Sequence, residues 1–154
     1  MPIQWQSDPQ QKTYEKADSY LKEIFGEMVN HFPDAPAMAV SKGTAFCTVA
    51  VYPWGDDDAS ITVRSYVVTG VEKTPDLMEF LLKENAKMRF GAFGLDDEND
   101  VFFEHTIVGS SCDKTELRAS VLAVLSTADT YDDQIVQRFG GLRAVDRAGK
   151  PAAT

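Results

Sequence analysis

The chain has 154 residues, of which 44% are hydrophobic and 25% are charged, and this composition predicts one globular domain with a single core. Its 15 lysines and arginines stand against 24 aspartates and glutamates, giving a formal net charge of −9. Such a charge argues against nucleic-acid binding, because contact with phosphates requires clustered cations. No apolar run approaches the roughly 20 residues that span a bilayer, so membrane insertion is not expected.

The first residues and the cysteines indicate where the protein is found. The segment from Met1 to Ser7 has neither the basic region nor the hydrophobic stretch of a secretory signal. Only two cysteines occur, Cys47 and Cys112, so a disulfide framework is not expected. Both observations favour a reducing compartment, and we predict a cytoplasmic location.

A first helix is predicted after Ser7-Asp8-Pro9, because a capping side chain there precedes a proline suited to a first helical turn. Its apolar positions recur at gaps of three and four: Tyr14, Ala17, Leu21, Ile24 and Met28. The helix is expected to end at the proline-containing segment 32–36, since proline cannot continue the hydrogen-bond ladder. A linker or short edge strand should follow.

Two alternating runs, 44–52 and 59–68, predict an antiparallel hairpin. The residues of the first run that share one face are all apolar: Ala45, Cys47, Val49 and Val51. The other face of the hairpin is the more polar one. Thr74-Pro75 then begins a second helix, whose apolar stripe is expected to lie across the sheet. That stripe comprises Leu77, Phe80, Leu81 and Met88.

A second hairpin is predicted around the acidic segment 96–100, and a long helix follows because Asp113 and Glu116 have the spacing of a capping box. This third helix should run to Gly140-Gly141, beyond which residues 142–154 are expected to form a flexible tail. The predicted fold class is α+β, with an antiparallel sheet packed against helices in the order α-β-β-(β)-α-β-β-α. One domain should therefore occupy residues 1–141.

The element order resembles that of the bacterial type III secretion chaperones and of the YbjN-like proteins that share their fold. The closest likeness lies within 85–141, where Gly91 to Leu95, an acidic turn, an aromatic strand and Ala128 to Asp132 precede the two glycines. The resemblance implies a homodimer that binds other proteins. In the secretion chaperones a client segment wraps around the dimer in extended form. It therefore implies a non-enzymatic chaperone-like, assembly or regulatory factor without a cofactor, and it does not identify the client.

Residues typical of metal sites occur, but not in the spacing that metal binding requires. A calcium loop beginning at Asp96 would need glycine at its sixth position and glutamate at its twelfth, where Val101 and Ile107 stand. We interpret this segment and the aspartates 56–58 as solvated turns. His31 and His105 lie in different predicted elements without a neighbouring second ligand, so no metal site is predicted.

The alternative hypothesis is a small thiol-redox or metal-binding enzyme that uses Cys112 or the acidic clusters. Cys112 lies at the predicted start of the third helix, where the helix dipole favours the thiolate while the carboxylate of Asp113 opposes it. Nothing else in the sequence supports catalysis. There is no phosphate-binding Gly-Lys-Ser/Thr loop and no Gly-x-Ser-x-Gly elbow.

Two sets of apolar residues are predicted to contact other proteins. The third helix has apolar residues outside one narrow stripe, which predicts a homodimer interface formed by Val121, Leu122 and Leu125, although Leu122 could equally pack on the first helix. A client is expected to contact aromatic residues of the sheet and its first hairpin: Tyr52, Trp54, Tyr66 and Phe102. An alternative role for Trp54 is to cover the end of that hairpin.

Overall fold

An antiparallel sheet of seven strands forms the centre of the molecule, of which the computed structural model describes residues 2–147. The helices are α1 (Asp8–Phe25), α2 (Pro75–Asn85), α3 (Lys114–Phe139) and α4 (Ala144–Arg147). The strands are β1 (Val29–His31), β2 (Ala37–Lys42), β3 (Ala45–Trp54), β4 (Asp58–Thr69), β5 (Ala92–Leu95), β6 (Val101–Val108) and β7 (Leu142–Arg143). The strand order is β1-β2-β3-β4-β6-β5, and β7 pairs with the end of β4. The predicted α+β class is confirmed.

Helix α1 begins as predicted and ends earlier than predicted. The hydroxyl of Ser7 accepts a hydrogen bond from the backbone N–H of Gln10 at 3.2 Å, which caps the first turn. The helix stops at Gly26, whose φ of 57° places it in the left-handed region open to glycine. Met28 therefore lies outside α1 in a short 3-10 turn, and β1 follows as an edge strand.

One face of the sheet forms the core because buried residues alternate along the strands. Cys47, Val49 and Val51 of β3 are fully buried, and so are Ala59, Ile61 and Val63 of β4. Helices α1 and α3 both pack on this face and contact each other, contributing Ala17, Leu21, Leu117 and Val124 to the same core. The predicted apolar faces of α1 and β3 are therefore the faces that the structure buries.

Helices α2 and α3 begin at the predicted caps, but α2 does not lie across the sheet. The Asp113 carboxylate accepts a hydrogen bond from the backbone N–H of Glu116 at 2.7 Å. The Thr74 hydroxyl accepts one from the backbone N–H of Leu77 at 3.2 Å. Helix α2 packs beside α3 instead, where the Phe80 ring lies 5.4 Å from that of Phe139, and β5 is its main contact in the sheet. Helix α3 already occupies the central strands, which excludes α2 from them.

The chain after α3 is not a free tail up to residue 147. Gly140 and Gly141 both have positive φ, and the chain turns there so that Leu142 pairs with Thr69 in β4. A Cβ on Gly141 would lie 2.8 Å from the carbonyl oxygen of Thr69, so this close approach requires glycine. The prediction of a flexible tail is wrong for residues 142–147, and the rest of that tail lies outside the described residues.

The residues that were predicted to form a dimer interface on α3 contribute to the core of the single chain. Val121 is 0% exposed and Leu125 is 4% exposed, while Leu122 is partly buried and packs against the same core. The expectation that Val121 and Leu125 lie at the surface is therefore wrong. The reason is that α3 packs on the sheet and on α1, so more than one apolar stripe is covered.

Leu125→Ala should lower the free energy of unfolding by about 2–5 kcal/mol, because it removes buried methyl groups and leaves a cavity. Urea denaturation monitored by circular dichroism measures the change. Leu142→Ala, at a leucine that is 57% exposed, is the matched control and should change stability by less than about 0.5 kcal/mol. Equal effects of the two substitutions would contradict the assignment of Leu125 to the core.

Candidate functional site

Neither cysteine is placed to act as a nucleophile. Cys47 is 0% exposed and Cys112 is 3% exposed. Burial raises the pKa of Cys47 to about 12 and that of Cys112 to about 11, so both thiols are protonated at neutral pH. The position of Cys112 at the start of α3, where the helix dipole favours a thiolate, does not offset the rise in its pKa that burial causes.

Carboxylates of the two acidic turns, those of Asp58 and Asp96, accept hydrogen bonds from nearby backbone N–H groups and side-chain hydroxyls. The Asp96 carboxylate accepts hydrogen bonds from the N–H groups of Glu98 and Asp100, both at 2.9 Å, and from the Tyr66 hydroxyl at 2.9 Å. Asp58 accepts from the hydroxyl of Ser110 at 2.6 Å, and this bond is the main cause that lowers its pKa. Within residues 2–147, no group of three or more His, Cys, Asp and Glu side chains is arranged to hold a metal ion.

The histidines are also used within the fold. Nδ1 of His105 lies 2.8 Å from the hydroxyl of Ser120 on α3, and burial lowers the pKa of this imidazole. Nε2 of His31 lies 2.6 Å from the carboxylate of Asp18 on α1. Each histidine therefore joins a strand to a helix, and neither faces a catalytic partner.

Within residues 2–147, the second face of the sheet has no helix packed on it, because α1 and α3 pack on the first. We call it the open face and define it by the outward-pointing residues of β3, β4 and β6. These are Phe46, Thr48, Ala50, Tyr52 and Trp54, then Ser60, Thr62, Arg64 and Tyr66, then Phe102, Glu104, Thr106 and Val108. The register aligns them in rows, such as Tyr52 with Ser60 and Val108.

Two of the predicted client-binding residues are exposed on the open face. Trp54 is 67% exposed and Tyr52 is 52% exposed, and the register places Val108, itself 51% exposed, in the same row as Tyr52. Trp54 does not cover the end of the hairpin, which was its alternative role. The three side chains form an apolar patch at one end of the open face.

The other two predicted client-binding residues are less accessible. Phe102 is only 8% exposed, because the guanidinium of Arg64 lies 3.8 Å from the centre of its ring and Tyr66 packs against its edge. Tyr66 is partly buried. The expectation that Phe102 presents its ring to a client is therefore wrong, and Arg64, which also pairs with Glu104 at 2.7 Å, is the accessible group there.

The two edges of the sheet differ in their backbone groups. At β5, the side-chain amide of Asn85 accepts from the N–H of Phe93 at 2.6 Å and donates to its carbonyl oxygen at 3.2 Å. Asn85 thereby occupies the position that a further strand would take. Within residues 2–147, no strand pairs with the outer edge of β1, although the N–H of Val29 is bonded to the carbonyl oxygen of Gly26. Exposed Met28 and Phe32 flank this edge, at 40% and 39%.

Helix α2 exposes an apolar pair that the sequence analysis missed. Met78 is 37% exposed and Leu82 is 69% exposed, and their spacing of four residues places them on one side of the helix. The pair lies outside the stripe of Leu77 and Leu81, which are buried. Its spacing was visible in the sequence, but its exposure depends on α2 packing beside α3.

Comparison with known proteins identifies relatives of the chain. A family model described as "T3SS (YopN, CesT) and YbjN peptide-binding chaperone 1" matches residues 14–147. No curated protein matches the sequence. The match confirms the resemblance to type III secretion chaperones and YbjN-like proteins.

Three solved structures share the fold. The chaperone-effector complex of HopA1 and SchA superposes with a TM-score of 0.61 at 10% identity, covering 79% of this chain and 94% of that one. The complex of ExsC and ExsE superposes with a TM-score of 0.60 at 13% identity, covering 82% of this chain and 95% of that one. The third structure is the Yersinia pestis type III secretion chaperone SycH in complex with a stable fragment of YscM2. It superposes with a TM-score of 0.53 at 15% identity, covering 77% of this chain and 98% of that one.

Thiol reagents should modify native Cys112 at pH 8 about a hundred-fold more slowly than an exposed thiol, because the thiolate fraction is small and the sulfur is buried. Absorbance assays of the native protein with a disulfide reagent measure the rate. Ser111→Cys supplies an exposed thiol at the neighbouring position as a control. A native Cys112 that reacts as quickly as the thiol at position 111 would revive the redox hypothesis.

Proposed function

Because this chain belongs to the family of T3SS (YopN, CesT) and YbjN peptide-binding chaperones, we propose that it is a non-enzymatic, chaperone-like factor that binds a segment of a client protein. The proposal includes an assembly or a regulatory role, since each requires the same binding of a client segment. The thiol-redox and metal-binding alternative has no support, since both thiols are buried and the acidic turns bind their own backbone. We further propose that the protein acts in the cytoplasm.

The observation that carries this proposal is the accessible aromatic pair on the open face. Tyr52 and Trp54 expose large apolar surfaces to water, and burying such rings against a partner is a major source of binding free energy. The hydroxyl of Tyr and the indole N–H of Trp also offer hydrogen bonds to a client backbone. We place the client on the open face, with these two residues as its principal contacts.

The edge of β1 gives an extended client a second means of binding. An added strand forms main-chain hydrogen bonds with an exposed edge, and such bonds are independent of client sequence. Asn85 closes the edge of β5 against such a strand, whereas β1 is flanked by exposed Met28 and Phe32. If a client adds a strand, hydrogen exchange at the amide of His31 should slow on binding, and unchanged exchange there would exclude this mode.

We propose that two copies associate through α2. Met78 and Leu82 form the exposed apolar pair that a symmetric helix contact would cover. This assignment replaces Val121 and Leu125, which are buried in the core of the single chain. It also leaves the open face, which lies on the other side of the sheet from α1 and α3, available to the client.

Met78→Glu combined with Leu82→Glu should convert a dimer into a folded monomer, because four negative charges would face one another in an apolar contact. Sedimentation equilibrium should give twice the chain mass of 17.0 kDa for the wild type and 17.0 kDa for the variant. Lys83→Glu changes the charge of α2 by the same amount and serves as the control. A wild-type protein that is monomeric at micromolar concentration, or a variant that remains dimeric, would contradict the α2 interface.

Tyr52→Ser combined with Trp54→Ser should reduce the client recovered with the tagged protein at least about tenfold, since large exposed aromatics dominate the free energy of such interfaces. The measurement is affinity capture from the native cell extract with quantitative mass spectrometry. Phe90→Ser is the control, because Phe90 is 48% exposed but packs against His105 on the helix-covered side of the sheet. A partner that is retained by the double variant and lost with Phe90→Ser would place the site elsewhere.

A further inference from the structure

Exposed carboxylates lie at both ends of the open face. The turn between β3 and β4 carries Asp56 and Asp57, which follow Trp54 and Gly55. The turn between β5 and β6 carries Asp97 and Glu98. The neighbouring Asp96 accepts a hydrogen bond from the hydroxyl of Tyr66 on the open face. All four are exposed, and no ion pair within residues 2–147 includes any of them.

The register of the sheet places these two turns at opposite ends of the open face. β4 begins at Asp58, beside the first turn, and at its other end Val68 pairs with Val101, which directly follows the second turn. Ten residues of extended chain separate Asp58 from Val68, roughly 33 Å at about 3.3 Å per residue. Carboxylates that far apart act independently, because the distance exceeds the Debye length of about 8 Å at physiological ionic strength.

The surface between the two turns has almost no net charge. Its middle rows contain small side chains, including Ala50, Thr62 and Thr106, and the two threonine hydroxyls are hydrogen-bonded to each other at 2.9 Å. Arg64 and Glu104, the charged residues of the middle rows, pair with each other. Asp58, the register partner of Trp54, lies at the end of the face beside the first turn. Lys42, the last residue of β2, is an exposed cation at the end of the sheet that carries Asp97.

From this arrangement we propose that the client segment on the open face has an uncharged, largely apolar centre of about ten residues with basic residues at both ends. The inference rests on the proposed function and specifies the chemistry of its client. The uncharged centre covers Tyr52, Trp54 and the threonine rows. Lysine or arginine side chains at its two ends reach the carboxylates of the two turns.

Three synthetic peptides of equal length test the charge pattern. The first has two lysines at each end of a ten-residue centre of alternating valine and serine. The second is its isomer, with the four lysines in the middle, and the third has glutamates at the ends. The isomer has the same net charge as the first peptide, so it corrects for the general attraction of cations to a chain of net charge −9. Fluorescence anisotropy of the labelled peptides gives each dissociation constant.

Two protein variants locate the effect. The turn variant combines Asp56→Asn, Asp57→Asn, Asp97→Asn and Glu98→Gln. The control variant removes four exposed carboxylates on the helical side: Glu15→Gln, Glu23→Gln, Glu27→Gln and Asp129→Asn. Both variants change the net charge equally. Tyr52→Ser combined with Trp54→Ser reports whether a peptide occupies the open face at all.

The end-lysine peptide should bind the wild type about tenfold more tightly than its isomer at low ionic strength, and the preference should shrink in 0.5 M salt. The turn variant should lose this preference, and the control variant should keep it. Equal binding of the first two peptides, with binding lost in the Tyr52 and Trp54 variant, would overturn the charge inference and leave the proposed function standing. Failure of all three peptides to bind would overturn the charge inference and count against the open face as the client site.

Discussion

The alternation of side chains along three neighbouring strands is the constraint on which the rest of the structure depends. In β3, β4 and β6, successive side chains point to opposite faces of the sheet. The register pairs the buried residues of one strand with the buried residues of its neighbour. A slip of one residue would expose Val49, Ile61 and Phe103 and would bury Arg64 in their place. Because α1 and α3 both cover the apolar face, the opposite face is left as a broad, accessible surface.

Local sequence signals predicted the helices and hairpins because those signals act over a few residues. The capping side chains of Ser7, Thr74 and Asp113 and the alternation of β3 were all readable from the sequence. Burial depends on contacts between distant segments, which local signals do not encode. Val121 and Leu125 are apolar residues that α1 and the sheet cover, whereas Leu82 is apolar and uncovered, and composition does not distinguish these cases. The pairing of Leu142 with Thr69 likewise depends on the position of α3.

The surfaces proposed to contact a client and a second copy are separated from one another in this fold. The open face lies opposite α1 and α3, and the exposed pair Met78 and Leu82 lies on α2, beside α3. The Asn85 side chain occupies the backbone groups of β5, the edge nearest α2, which protects that edge from uncontrolled strand pairing. The proposed association through α2 would therefore leave the open face and the β1 edge of each copy available to a client.

The central claim is that the open face holds the client, and hydroxyl-radical footprinting tests it most directly. The protein alone and the protein bound to its captured partner are oxidised in parallel, and each aromatic residue is quantified by mass spectrometry. The account predicts that oxidation of Trp54 and Tyr52 falls several-fold in the complex, because their exposed rings become covered. Oxidation of Phe90, on the helix-covered side, should not change. Equal oxidation of Trp54 in the free and bound protein, with protection confined to the helical side, would contradict it.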